Sequence, residues 1–250
     1  MKRMARIAVI SAARPDNVPV MLKHLAKSRH EVAWFVGADD RREYEAAGAR
    51  NVFASGGLIA ARNAALDWAD EGDSTCVQVS DDLVDVSEFD AATRKAKPWS
   101  LRAAIDVLVE NANTAGARLA GIPPTANAFY ASREVKAAAF CIGDLFACRR
   151  TPLRFSHEVP TKEDYDWTCK HLSTHGAVAR CDWILAKFRH YDGYRLGKRP
   201  PAGVGGNQAL RTIEFEQQAA DALMRRWPHW IKPHPKNRGE VVLRARAKLT

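Results

Sequence analysis

The chain has 250 residues, 46% apolar and 27% charged, with a net charge of +9. That suffices for one large α/β domain or two small ones with a substantial core, and no apolar run reaches the roughly 18 residues that a membrane span needs. Five cysteines (Cys76, Cys141, Cys148, Cys169 and Cys181) include no Cys-x-x-Cys pair, which argues against a disulfide frame and a zinc knuckle and for a reducing cytoplasm. The basic and then apolar start is like the opening of a signal peptide, but the apolar stretch from Ile7 to Ala13 is short and reads as a first strand.

In chain order, residues 6–11 form a β-branched strand, and Val18, Met21, Leu22 and Leu25 follow at helical spacing, with Asp16 or Asn17 able to cap. Residues 32–37 are a second strand, 41–48 a short helix closing at Gly48, and 51–55 a third strand broken by Gly56-Gly57. Leu58, Ala61, Ala65 and Trp68 then make one apolar helical face, and 74–80 is a fourth strand running into Asp81-Asp82. Strand and helix thus alternate over the first 82 residues, the signature of a parallel sheet covered by helices. Further on we expect a polar loop with a little helix over 84–100 and an amphipathic helix over 101–115. A strand and Pro-rich turn follow over 118–130, then two short strands around Gly143-Asp144. A helix over 163–175 with Tyr165, Trp167 and Leu172 partly buried precedes a strand over 178–188. The stretch 197–208 is too rich in Gly and Pro for regular structure, and an amphipathic helix over 209–227 leads into a basic tail. Residues 221–250 carry eight cations against Asp221 and Glu240, a net +6.

Three constellations carry chemistry. Ser80-Asp81-Asp82 ends a strand, where ligands of open α/β sheets sit, and paired carboxylates there are hard ligands for Mg²⁺ or Mn²⁺ bridging a diphosphate. The same three residues are also ordinary turn formers. Arg62 lies off the apolar face of its helix, where a guanidinium suits a phosphate or a base edge. Lys162-Glu163-Asp164-Tyr165-Asp166 opens a helix about 80 residues later; acids are favoured in a first turn anyway. His190, after the strand over 178–188, is an acceptable Mn²⁺ ligand, with His157, His171 and His175 as competitors.

The helix Gly57-x-x-x-Ala61-Arg62-Asn63-x-Ala65-x-x-x-Ala69, followed by an acidic pocket at the next strand end, resembles the nucleotide-binding half of the GT-A glycosyltransferases. The resemblance is specific over 6–82 and looser over 160–192. It implies an α/β, Rossmann-like GT-A fold with a mixed, mostly parallel sheet flanked by helices. It places a nucleotide-sugar half at 1–100 and an acceptor half at 101–208, with a C-terminal helix and basic tail at 209–250. It assigns the metal role to Asp82 and a nucleotide or metal role to Asp81; Ser80 stands where a first acid is common. Ala13 and Arg14 correspond to the loop around the uracil-ribose unit, Asp39 to an acid that meets the base, and His190 to a late histidine that completes the metal site. Asp164, with Glu163 as neighbour or substitute, corresponds to the general base on the acceptor hydroxyl.

A small, basic enzyme of this kind resembles the bacteriophage DNA glycosyltransferases, which attach a sugar to hydroxymethylated pyrimidines. That resemblance implies a metal-dependent transferase (Mn²⁺ or Mg²⁺) using a UDP-sugar on DNA in the cytoplasm, the host's if phage-encoded. Lys187, Arg189, Arg195, Lys198 and Arg199 are candidates to hold the DNA backbone, and Tyr130, Trp167 or Tyr194 to support a base taken out of the stack. The alternatives are a transferase for surface polysaccharide and a non-catalytic DNA-binding protein on a degenerate fold. A sugar-1-phosphate nucleotidyltransferase fits less well, because residues 10–17 contain no glycine.

Overall fold

The computed structural model describes residues 5–26, 28–114, 116–159, 161–189 and 212–244. Its centre is an eight-stranded sheet in the order β3-β2-β1-β4-β9-β7-β10-β8. The first half is parallel: β1 (Ala5–Ile10) lies between β2 (Glu31–Val36) and β4 (Thr75–Ser80), and β3 (Val52–Ala54) adds to β2. β1 and β2 are mostly apolar because both their faces are covered, whereas β4 also buries Thr75 and Gln78 and the edge strand β3 leaves Phe53 and Ala54 exposed. Ile7 and Val9 of β1 join one core cluster, and Ala8 and Ile10 the other. Helices α1 (Val18–Leu25), α2 (Arg41–Ala46) and α4 (Leu101–Thr114) cover the first face. Helices α3 (Leu58–Glu71) and α5 (Glu163–His175) cover the second.

The direction reverses at β9 (Leu145–Cys148), which runs antiparallel to both β4 and β7 (Leu119–Gly121). β10 (Ala179–Cys181) is parallel to β7, and β8 (Val135–Lys136) is antiparallel to β10. The expected α/β fold with a mixed, mostly parallel sheet is therefore present. The reversal has a consequence for the site: the start of β9 lies beside the end of β4, with Leu145 opposite Val79.

Four local expectations need correction. Residues 84–100 form two strands, β5 (Leu83–Asp90) and β6 (Lys95–Trp99), rather than a polar loop with a little helix. The buried residues of β5 are Leu83, Val86 and Phe89, three apart, and a register shift opposite Lys187 and Phe188 breaks the two-residue alternation. The stretch over 178–188 is two strands, split at Asp182-Trp183: β10 stays in the large sheet, while β11 (Ile184–Phe188) pairs with β5 in a three-stranded sheet ordered β11-β5-β6. Only β9 forms around Gly143-Asp144, after the glycine. The basic tail after α6 (Ile213–Arg226) is a hairpin over much of its length, β12 (Ile231–Pro233) with β13 (Val241–Leu243). Leu223, Ile231 and Val241 pack with Val159 and Cys169, so this C-terminal unit is docked on α5. The expected irregular stretch 197–208 lies outside the described residues. No described helix is long and apolar enough to cross a membrane.

Candidate functional site

The carboxyl ends of β1, β2 and β4 share one edge of the sheet, and the antiparallel β9 begins at that edge. Asp81, 1% exposed, sits there between two loops. Its carboxylate is paired with the Arg14 guanidinium and accepts hydrogen bonds from Ser11 Oγ and, at 3.1 Å, from Asn17 Nδ2. Asn17 therefore turns its side chain to Asp81 and makes no side-chain cap on α1. Burial raises the Asp81 pKa to about 6, against the pull of Arg14, Ser11 and Asn17. The Tyr44 hydroxyl, hydrogen-bonded to Ser11 Oγ, accepts from Arg14 N at 3.0 Å, and burial pushes its pKa up to about 12. Ala13, at φ 53°, donates its N–H to Asp40 Oδ2 at 2.6 Å. The loop after β1 is thus clamped, and Arg14 and Asp81 neutralise each other. Asp39 is exposed in the turn after β2, and its neighbour Asp40 makes the loop contact.

Asp82 is 8% exposed, and Ser80 Oγ donates to its Oδ1 at 2.7 Å. Ser80 thereby orients the Asp82 carboxylate. Ser80 N in turn donates to the Asp144 carbonyl at 2.8 Å, which brings Asp144 to the end of β4. On the other side, Arg189 N donates to the Asp82 carbonyl at 2.9 Å. The chain leaving β11 therefore passes Asp82 one residue before His190, which itself lies outside the described residues. Lys187 and Arg189 are exposed at this edge; Arg195, Lys198 and Arg199 lie outside the described residues.

The second acidic pair joins the same edge through Gly143, whose N–H donates to Asp164 Oδ2 at 3.2 Å. A Cβ on Gly143 would meet Arg62 Nη2 at 2.7 Å and Asp164 Cβ at 3.2 Å, so a side chain here would displace the Arg62 guanidinium. Arg62 does not face solvent as its position off the apolar stripe suggested; it is 6% exposed. Its guanidinium donates to Glu163 Oε1 and to the Gly143 carbonyl, each at 3.0 Å, and to Gln78 Oε1 at 3.2 Å. It also lies 5.3 Å from the Phe155 ring centroid. These bonds use Arg62 to tie α3, β4 and the start of α5 together. Asp164 is raised above the ordinary carboxylate range, first by burial and then by Glu163, with Arg62 opposing and Asp144 adding.

The competing histidines stand elsewhere. His171 is buried against Trp167, and burial pushes its pKa down to about 3. His175 is bonded to Thr151 Oγ1, and His157 is exposed. From Asp164 to His175 is about 16 Å along α5 at ~1.5 Å per residue. Trp167 is 2% exposed and stacked on Phe155, which removes it as a base support; Tyr130 is 67% exposed, and Tyr194 lies outside the described residues.

Sequence reasoning missed Asp144 and Asp40. Gly143-Asp144 was visible as a turn, but only the antiparallel pairing of β9 with β4 gives the acid its place. Among the described residues no three His, Cys, Asp or Glu side chains form a ready metal-ligand group. A cavity of about 730 Å³ runs along α4, lined by Arg29, Trp99, Asp106, Glu110 and Arg149, and none of these carboxylates belongs to the site above. No protein-family model and no curated protein matches the chain.

Proposed function

We propose that the protein is a metal-dependent glycosyltransferase that moves a hexose from a nucleotide sugar, a UDP-sugar in the first instance, to hydroxymethylated bases in DNA. One observation carries this reading: Asp82, oriented by Ser80, shares the carboxyl edge of the sheet with Asp144, Glu163, Asp164 and the chain at Arg189. The sequence resemblance to GT-A transferases supplies the roles.

Asp82, with Asp144 close by and His190 next after Arg189, would hold the divalent ion, which offsets charge on the departing diphosphate. The Ala13-Arg14 loop, fixed by Asp81, Tyr44 and Asp40, forms a rigid wall for the nucleotide. Arg14 is committed to Asp81, so the backbone of this loop is its contribution to binding. Asp164 takes the proton from the acceptor hydroxyl; Glu163, held by Arg62, keeps the raised pKa close to the working range of a general base.

The test incubates the protein with Mn²⁺, a panel of nucleotide sugars and hydroxymethylcytosine DNA, followed by nucleoside mass spectrometry. A hexose on the modified base, lost in Asp82→Ala, is the expected result. A hexose on an oligosaccharide and none on DNA would move the assignment to a carbohydrate acceptor. DNA binding without transfer from any donor would make the chain a binding protein.

A further inference from the structure

Residues 122–134 leave the carboxyl edge after β7 and return to it at β8. Ile142 N donates to the Ile122 carbonyl at 3.3 Å, and Asp182 N to the Glu134 carbonyl at 3.5 Å. At the tip of this excursion Phe129 and Tyr130 are 75% and 67% exposed. Their rings meet edge to face, with centroids 5.1 Å apart and an interplanar angle of 88°. The pair is held and not merely left out. Asn127 Oδ1 accepts from Phe129 N at 3.0 Å, and the Asn127 carbonyl accepts from Tyr130 N at 3.1 Å, closing a short 3-10 turn (Ala128–Tyr130) that packs on β6. Two adjacent aromatic rings fixed in water sacrifice apolar burial that a polar turn would not forgo.

The surroundings say what kind of molecule covers them. Arg94, Lys95, Lys97 and Arg133 are exposed around β6 and the turn. The acids bonded to them are Glu88, which accepts from Arg133 at 2.7 Å, and Asp90, paired with Lys97. Glu134 is exposed beside Arg133 as well, so the four cations face three acids; Arg94 and Lys95 enter no ion pair among the described residues, and these two are left to meet a phosphate. The Arg133–Glu88 pair also pins the excursion to β5, the strand that begins next to Asp82. From Asp82 to Glu88 that strand covers about 20 Å, the length of roughly six stacked nucleotides at ~3.4 Å each.

We infer that Phe129 and Tyr130 form a stacking platform for unpaired bases of a single-stranded nucleic acid, whose phosphates run along the cations of β6 toward Asp82. Aromatic faces stack on unpaired bases, and a duplex hides its base faces. The proposal deepens the acceptor reading above by choosing single strands over duplex, and it rests on that reading only for the direction toward Asp82.

The test is fluorescence anisotropy with a labelled oligothymidylate and a duplex of equal length at physiological salt, without donor or metal. The single strand is expected to bind at least tenfold more tightly than the duplex. Phe129→Ala with Tyr130→Ala should weaken single-strand binding by about tenfold per ring and leave duplex binding unchanged; both rings are exposed, so the fold is retained. Equal affinity for duplex and single strand would overturn the inference, as would unchanged single-strand binding in the double variant. An uncharged glucan oligosaccharide bound through these rings in place of the oligonucleotide would overturn it too. Because no sugar donor is present, failure of sugar transfer leaves a positive result intact, and a negative result leaves the transferase assignment standing.

Discussion

Two carboxyls at the sheet edge, Asp81 and Asp164, are both raised above the ordinary carboxylate range by burial. The Asp81 pKa in the folded chain, about 6, is above its ordinary 3.8, so the protonated form favours folding. Its contribution is complete below about pH 4 and is lost as the pH rises through about 6. Thermal melting from pH 4 to 7 should show this loss, and Asp81→Asn should flatten that window; an identical pH dependence in the variant would contradict the assignment. For Asp164 the relevant neighbour is Arg62. Arg62→Met removes the cation that lowers the Asp164 pKa, so the acidic limb of the kcat/KM profile should move to higher pH. The same change leaves Glu163 buried without its guanidinium and should destabilise the fold by about 3 kcal/mol. A limb that stays in place would show that Asp164 is not the titrating base. Glu163, Asp164, Asp81 and Asp82 were legible in the sequence because each stands at the boundary of a clearly periodic element. The inward turn of Arg62 was not legible: its helix has small alanines on neighbouring positions, and a long side chain can reach the core between them.

Helix α5 is the element on which the site hangs. Its first turn presents Glu163 and Asp164 to the sheet edge, while Lys162, just before it, is buried with Glu216 of α6 at 2.6 Å and reaches Glu240 at 3.3 Å. Further along, Asp166 accepts from Trp227 Nε1 at 2.8 Å and is paired with Lys170 and Arg226. The C-terminal unit therefore holds the acidic end of α5 in position. Lys162→Met breaks the buried Lys162–Glu216 ion pair, and urea unfolding should register a loss of about 3 kcal/mol; a loss below about 0.5 kcal/mol, the size of a surface change, would contradict this clamp. The sequence showed α6 by its amphipathic spacing, yet the hairpin after it was hidden under charge. Its two strands are three residues each, too short for an alternation to stand out. β5 was missed because burial every third residue mimics a helical period, and β6 because four of its five residues are exposed.

Across the whole molecule, the parallel half was readable because β1 to β4 alternate with helices. The far half was not, since strand order there depends on pairings between residues distant in sequence, such as Leu119 with Cys148. The acids that face the C-terminal cations are partly consumed inside: Glu216 and Glu240 meet Lys162. Arg225, Lys232, Lys236, Arg238 and Arg244 remain exposed, so the positive excess of the sequence is a surface property of the fold. Binding to DNA should accordingly weaken linearly with log salt, and Lys187→Ala or Arg189→Ala should each reduce the slope by about 1; an unaltered slope in both would remove them from the phosphate path. The proposed transferase activity depends above all on Asp82 bringing a divalent ion to a nucleotide diphosphate. Isothermal titration of UDP into the native protein and into Asp82→Ala, with and without Mn²⁺, tests this most directly. Binding that requires Mn²⁺ and weakens at least tenfold in the variant is the predicted result; equal UDP affinity in both proteins, or affinity indifferent to Mn²⁺, would contradict it.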